Sequence, residues 1–436
     1  MRANHSLWKP VLARTYRIPV MLPGGLPGSR RRTYSRAASR QPVRVRFIVT
    51  AIDYTPQQRT RSLFAVISAV FGIGVAVGAI VPLISLLMER QGYSSVVIGL
   101  NSLMFPLAVM IAGPFVPRLG ARFGTLTAMC VSTAVLGGLT LLLAFVPILP
   151  AWFVLRFLMG ASGAVGWIIT ETWINLMATD ANRGRVMAVY ATVLAVGFAI
   201  GPLVIRAVGI DGVLPFAIIA ALLGASALPI LWARDVAPPM PGHSTHGVLK
   251  LIAAAPVIML AGMAGGAIES AGYTLLPVYG VKLGLPEATA VLMLTMYYAG
   301  NLVLQIPLGM LADRFDRQRA LVACFIVAFV CPILLPLTMS LDPLKWIVLV
   351  VWGGATMAMY TLSLAVMGDR FPRHELAGAN AAFVIMYELG SVGGPVVAGG
   401  TMDLAGPHGL MAILALIAAA YLAFIAILRV TRSRVR

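Results

Sequence analysis

The sequence predicts an all-α membrane protein, with about twelve transmembrane helices in two six-helix, pseudo-symmetric bundles. Three observations predict it. The composition is too apolar for a chain solvated by water alone. Apolar runs of bilayer length follow one another along most of the sequence, and landmark residues recur at one offset in its two halves.

Of the 436 residues, 59% are hydrophobic and 11% charged, whereas a soluble domain carries about 25% charged residues to meet water. With a mean hydropathy of +0.90, the chain needs a lipid bilayer as part of its solvent. Its 43 Gly and 28 Pro suit that setting, because membrane helices tolerate both better than soluble ones do.

The formal charge of +18 points to nucleic acid only until it is located. Residues 1–61 hold 13 of the 33 Lys and Arg against a single acid, Asp53, a net +12. The excess belongs to one tail and not to a folded basic face, so no nucleic-acid partner is expected. Residues 1–61 read as a basic, disordered N-terminal tail. An Arg- and Ser-rich targeting segment, a start assigned too far upstream and an arm held on anionic lipid all share this composition. Cys130, Cys324 and Cys331 lie inside apolar runs with no CxxC or Cys/His spacing, so no disulfide framework, metal or cofactor is expected.

From residue 62 the spans follow in order. About 20 apolar residues cross a ~30 Å hydrocarbon core. Runs of that length or more cover 63–88, 95–117, 123–146, 151–178, 185–207 and 212–233, then 252–280, 288–311, 319–339, 345–367, 377–400 and 408–429. Residues 62–233 thus form an N-terminal six-helix bundle and 251–430 a C-terminal one. The polar, Pro-rich stretch 234–250 is a cytoplasmic linker between them, and 431–436 is a short basic tail. With both termini inside, eleven basic residues fall in cytoplasmic loops: Arg118, Arg122, Arg183, Arg185, Arg234, Lys250, Arg314, Arg317, Arg319, Arg370 and Arg373. Only Arg90, Arg206, Lys282 and Lys345 fall outside. That asymmetry places both termini in the cytoplasm.

The halves repeat. Pro82 matches Pro277, Gly113 with Arg118 matches Gly309 with Arg314, and Cys130 matches Cys324. Gly197 through Gly201-Pro202 matches Gly390 through Gly394-Pro395, and all four offsets lie between 193 and 196 residues. Two similar six-helix bundles meeting across a pseudo-two-fold axis leave a cavity near the bilayer midplane, which rocking opens to alternate sides. That architecture predicts a transporter and not an enzyme.

The residues from about 62 onward resemble the major facilitator superfamily. The segment Gly309-Met-Leu-Ala-Asp313-Arg314-Phe-Asp-Arg317-Gln-Arg319 resembles the family's signature loop. Arg156-Phe-Leu-Met-Gly160 resembles its Arg-x-x-x-Gly motif. Gly197-x-x-x-Gly201-Pro202 resembles the Gly/Pro motif of antiporters, and the copy ending at Gly394-Pro395 is the fuller one. Gln-Ile-Pro-Leu-Gly at 305–309 and Glu171-Thr-Trp-Ile-Asn175 resemble a branch of small bacterial permeases. The first-half signature loop departs from the pattern, with Pro117 where the family's Asp would stand. The resemblance implies a secondary active transporter, proton-coupled and exporting, in a bacterial inner membrane. Its partners would be a small-molecule substrate, a coupling proton and the bilayer, and its state monomeric.

Ionisable groups at membrane depth cost about 2.5–3.5 kcal/mol unless they face a cavity or a partner, so each one is a candidate. Glu269 near the middle of span seven is the expected proton carrier, with Glu388 in span eleven and Glu171 in span four as further coupling residues. A paired or permanently neutral carboxyl is the alternative for each. Arg156 is read as a packing and polarity element beside a nearby acid. Asp313 is read as a gate, capping the N-terminus of a helix in the other half. Asn101, Asn175, Tyr297, Asn301 and Gln305, with Tyr298 and Tyr387, are candidates for the substrate cavity or for interhelical hydrogen bonds. Few charges in the spans point to a neutral, cationic or hydrophobic substrate, with proton-coupled uptake of a metabolite as the alternative. Two other classes are weighed. Gly160-Ala-Ser162-Gly163 resembles the nucleophile motif of intramembrane serine proteases, but His5, His243, His246, His374 and His408 all lie in tails or loops. A transporter-like receptor would lack a soluble domain with which to signal.

Overall fold

The structure, a computed structural model, describes residues 54–179, 182–238, 252–314, 316–371 and 373–434. Thr55 starts the first helix, α1 (Pro56–Arg90): its hydroxyl accepts from the Gln58 N–H, and the Thr55 N–H donates to the Gln58 side chain. The first half continues through α2 (Ser95–Ala112), α3 (Val116–Phe123), α4 (Thr125–Phe145), α5 (Leu149–Met177), α6 (Arg183–Val208) and α7 (Leu214–Trp232). The second half comprises α8 (Pro256–Lys282), α9 (Glu287–Arg314), α10 (Arg317–Thr338), α11 (Leu344–Arg370), α12 (Arg373–Ala405) and α13 (Gly409–Arg434).

Among the described residues, eleven helical stretches are long and apolar enough to cross a bilayer. The twelfth span, α8, is 27 residues long and misses only on apolarity. Glu269, Ser270 and its glycines lower its hydropathy, and almost all of it from Ile258 to Gly280 is buried among other helices. A helix enclosed by protein has no lipid to satisfy.

Two boundaries differ from the sequence reading. Residues 56–61, assigned above to the tail, are the first turns of α1; Arg61 pairs with Asp235 at 3.0 Å, and the Arg59 guanidinium donates to the Met177 carbonyl at 3.2 Å. The stretch 118–122, expected as a loop, is helical. The chain passes from α2 through a single turn at Gly113–Phe115 into α3 and reverses only at Gly124, whose φ is +84°. Pro114 and Pro117 start helical turns there instead of ending them, since a proline's missing N–H costs nothing at a first helical position. After α7 the chain makes one further helical turn, Arg234–Val236, folded back on α1 through the Ser62 hydroxyl, which donates to the Val236 carbonyl. The remainder of the expected linker, from residue 239, lies outside the described residues.

The packing repeats in the two halves. In the first, α1 lies on α6, α2 on α5, and α4 on α5 and α7; in the second, α8 lies on α12, α9 on α11, and α10 on α11 and α13. Span by span these are equivalent pairs. The contacts between halves follow the same symmetry, α2 against α12 and α6 against α9. The repeated Gly/Pro motif explains one of the equivalences. A Cβ at Gly201 would strike the α1 backbone at Gly78, and one at Gly394 would strike the α8 backbone at Ala267. Each motif thus brings the fifth helix of its half directly onto the first.

Candidate transport cavity

Four helices of the second half bring together carboxyls and tyrosines. Glu269 and Tyr273 stand one turn apart on α8 and share a face. Both are only half-buried although they lie far from either end of the helix. From α12, Tyr387 and Glu388 face them: the Tyr387 hydroxyl interacts with the Glu269 carboxyl, and Glu388 lies close enough to feel the Glu269 charge. The Ser270 hydroxyl donates to the Ser391 carbonyl at 2.9 Å, and the Ser391 hydroxyl lies 3.4 Å from the Gly266 carbonyl. These bonds fix the register of α8 against α12 beside the two acids. Among the described residues neither Glu269 nor Glu388 is in an ion pair.

α9 contributes Tyr297, Asn301 and Gln305 at four-residue spacing, one stripe of the helix. Tyr297 is fully buried, its ring edge-on to Trp352 at 5.0 Å and to Tyr298 at 6.2 Å; Asn301 and Gln305 are half-buried. Tyr298 stacks on Phe198 of α6 at 5.7 Å, a contact between the halves. On α2, Asn101 is buried, and its amide nitrogen has no hydrogen-bond partner among the described residues.

In the first half, Arg156 is 4% exposed and lies over the Phe105 ring at 5.8 Å. Gly160 explains the placement. A Cβ there would strike the Phe105 backbone, so the Arg-x-x-x-Gly motif seats α5 on α2 at the residue whose ring receives the guanidinium. No carboxylate among the described residues pairs with Arg156, and its Nε has no hydrogen-bond partner. Tyr273 is the second-half residue that feels its charge.

Glu171 sits nearer the end of α5. Its carboxylate accepts from Trp167 Nε1 at 3.1 Å and from the Tyr190 hydroxyl of α6 at 3.4 Å. Asn175, expected beside it, spends its amide on the Glu171 backbone carbonyl at 2.9 Å. Sequence reasoning singled out neither Tyr273 nor Tyr360. Tyr360 of α11 feels the charges of Glu171, Glu388 and Glu269 together and meets the Tyr387 ring edge-on at 5.0 Å. The available signal was its place in the methionine-rich run of Met357, Met359 and Met367.

The remaining expected residues divide clearly. Pro202 and Pro395 lie inside α6 and α12 directly after Gly201 and Gly394, and Gly197 packs on Gly74 of α1. In the expected gating loop, Gly309 and Arg314 belong to α9, and Arg317 starts α10 and pairs with Asp369 at 2.9 Å. Asp313 is a backbone position of α9 whose side chain lies outside the described residues. Ser162 is no nucleophile: its buried hydroxyl donates to the Ser132 carbonyl at 2.7 Å and ties α5 to α4.

Two pseudo-symmetric six-helix halves, with carboxyls, tyrosines and a buried arginine inside their spans, define a multi-pass membrane transporter. The chain belongs to the Major Facilitator Superfamily, whose profile matches residues 64–353 and 282–436. It is 26% identical over 343 residues to the uncharacterized MFS-type transporter YfkF of Bacillus subtilis (strain 168), covering 76% of this chain and 86% of YfkF. It is 24% identical over 346 residues to the uncharacterized MFS-type transporter YcaD of Escherichia coli (strain SMS-3-5 / SECEC), covering 77% and 87%. Two solved structures share the fold at 14% identity. They are the nucleoside transporter NupG, with a TM-score of 0.65 over 84% of this chain and 99% of NupG, and a bacterial homolog of the human lysosomal transporter Spinster, at 0.66 over 86% and 96%.

Proposed function

We propose that this protein is a proton-coupled exporter of a neutral, cationic or hydrophobic small molecule, working by alternating access as a monomer in a bacterial inner membrane with both termini cytoplasmic. One observation carries the reading. Glu269 and Glu388 are half-buried on two helices that pack together, Glu388 lies within reach of the Glu269 charge, and neither has an ion-pair partner among the described residues. A carboxyl in that position is free to take a proton when its side of the cavity is wet and release it when the other side opens. The tyrosines around it offer ring faces to an apolar or cationic substrate. Glu269 is the carrier; Glu388 and Glu171 tune it.

The test is export of a panel of hydrophobic and cationic compounds from cells expressing wild type or Glu269→Gln, with and without a proton uncoupler. The expected outcome is uncoupler-sensitive export that the substitution abolishes at normal expression. Proton-dependent export that persists in Glu269→Gln would overturn the assignment. Arg156 favours a second reading, uptake of a small metabolite, because a buried guanidinium without a carboxylate partner among the described residues suits an oxygen-rich group on a substrate. Uptake driven by an inward proton gradient and lost in Arg156→Met would select it.

A further inference from the structure

The spans alternate, so one face of the bundle carries the start of α1 and the end of α13, the face of the termini, and the other carries the turns near residues 91–94, 283–286 and 406–408. On this second face the two halves touch through a set of polar contacts. The Asp403 carboxylate, at the end of α12, accepts from the Ser95 N–H at 2.8 Å and from the Val96 N–H at 2.8 Å. These are the first two amides of α2. The third, Val97 N–H, goes to the Ser94 hydroxyl. The start of a helix in one half is therefore completed by an acid from the other, on the end where the helix dipole is positive.

Two ion pairs flank this contact. Lys282 at the end of α8 reaches Glu89 at the end of α1 at 3.2 Å, and Arg90 reaches Glu287 at the start of α9 at 3.7 Å. Below Asp403, α2 and α12 approach backbone to backbone. A Cβ at Gly99 would strike the Pro395 carbonyl, and one at Gly399 would strike the Ser95 carbonyl. Deeper still, the Ser102 and Thr274 hydroxyls share a buried hydrogen bond of 2.8 Å between α2 and α8. Ser102 lies seven residues into α2, about 10 Å along its axis. The barrier is thus about two helical turns thick.

We infer that Asp403 is the latch of this face. Its carboxylate holds α2 and α12 together when the face opposite the termini is closed, and the contact breaks each time that face opens. The Gly99 and Gly399 contacts require close backbones but have no directional bond of their own, and the flanking ion pairs are solvent-accessible as Asp403 itself is, so geometry and not burial sets Asp403 apart. The paired N–H bonds of Asp403 are directional and charge-assisted. They form only at this separation of the halves.

The latch is read from the rate at which the closed face opens, independently of which substrate or ion is carried. Ser102→Cys is introduced into a chain with Cys130, Cys324 and Cys331 changed to Ala. A membrane-impermeant thiol reagent is then applied from the side where a C-terminal tag is inaccessible. Labelling rate reports the fraction of time that face is open. Asp403→Ala is expected to raise it about fivefold, the effect of removing one good helix cap. Asp403→Asn, which keeps one acceptor without the charge, falls between. An unchanged rate in Asp403→Ala, with the protein monodisperse in detergent, overturns the proposal. If the Ala variant does not fold, an unchanged rate in Asp403→Asn does so.

Discussion

The Ser270 hydroxyl donates to the carbonyl of Ser391, 121 residues away, at 2.9 Å, and this bond ties α8 to α12 next to Glu269 on one helix and to Tyr387 and Glu388 on the other. Both partners are buried. A buried side-chain-to-backbone bond between helices fixes register more sharply than packing alone.

Ser270→Ala is therefore expected to leave a folded, membrane-inserted protein that is roughly 1 kcal/mol less stable. Its transport should fall several-fold more than its substrate binding, because the proton carrier loses its alignment while the cavity keeps its lining. Binding by fluorescence or calorimetry, set against transport in proteoliposomes, separates the two. An equal loss in both would make Ser270 only a packing residue.

Glu388 and Glu171 differ in how they are held, and their variants should differ accordingly. The Glu171 carboxylate is already fixed by Trp167 and Tyr190. Glu171→Gln keeps an acceptor for both donors and should lower the transport rate less than tenfold. Glu388, without an ion-pair partner among the described residues, shares its site with Glu269. Glu388→Gln should keep transport but change its dependence on external pH, as measured by initial rates across a pH series. A pH profile that matches wild type would remove Glu388 from the coupling machinery.

The twelve spans, the repeat and the Gly/Pro motifs were legible in the sequence because run length, charged breaks and glycine spacing are local signals. The helix α3 was not, since Pro114 and Pro117 read equally well as breakers or as starters, and only Gly124 at positive φ reveals where the chain turns. Glu269 and Glu388 were legible as rare acids in apolar runs. Tyr273 and Tyr360 were not, because a tyrosine in a span is ordinary until packing brings it near carboxyls of other helices. Asp403, just beyond the expected end of the eleventh span, drew no reading at all. Its role depends on a partner 308 residues away at Ser95, and no pattern along the chain encodes that approach.

Gly160 carries a stability prediction and Arg156 a functional one, although they belong to the same motif. A Cβ at position 160 has to displace the Phe105 backbone, so Gly160→Ala should cost about 1–3 kcal/mol. The check is a lower thermal midpoint in detergent. Arg156→Lys keeps the charge but not the planar group over the Phe105 ring. It should fold like wild type and transport at least several-fold more slowly. A normal rate in Arg156→Lys would mean that only the charge matters at this site.

Asp313 supplies the last prediction. It lies near the end of α9, in the segment that resembles the family's signature loop, on the face that carries the termini. That is the face away from Asp403. If Asp313 caps a helix of the other half when its own face closes, the protein holds an acid-to-helix contact for each closed state. The two should then oppose each other. Asp313→Asn is expected to slow transport without abolishing substrate binding, and to lower the labelling rate of Ser102→Cys from the Asp403 face, since closure on that face becomes relatively favoured. The double variant with Asp403→Ala should bring the labelling rate back toward wild type. Loss of binding in Asp313→Asn at normal expression, or a labelling rate that rises instead of falling, would show that Asp313 does not hold its face closed.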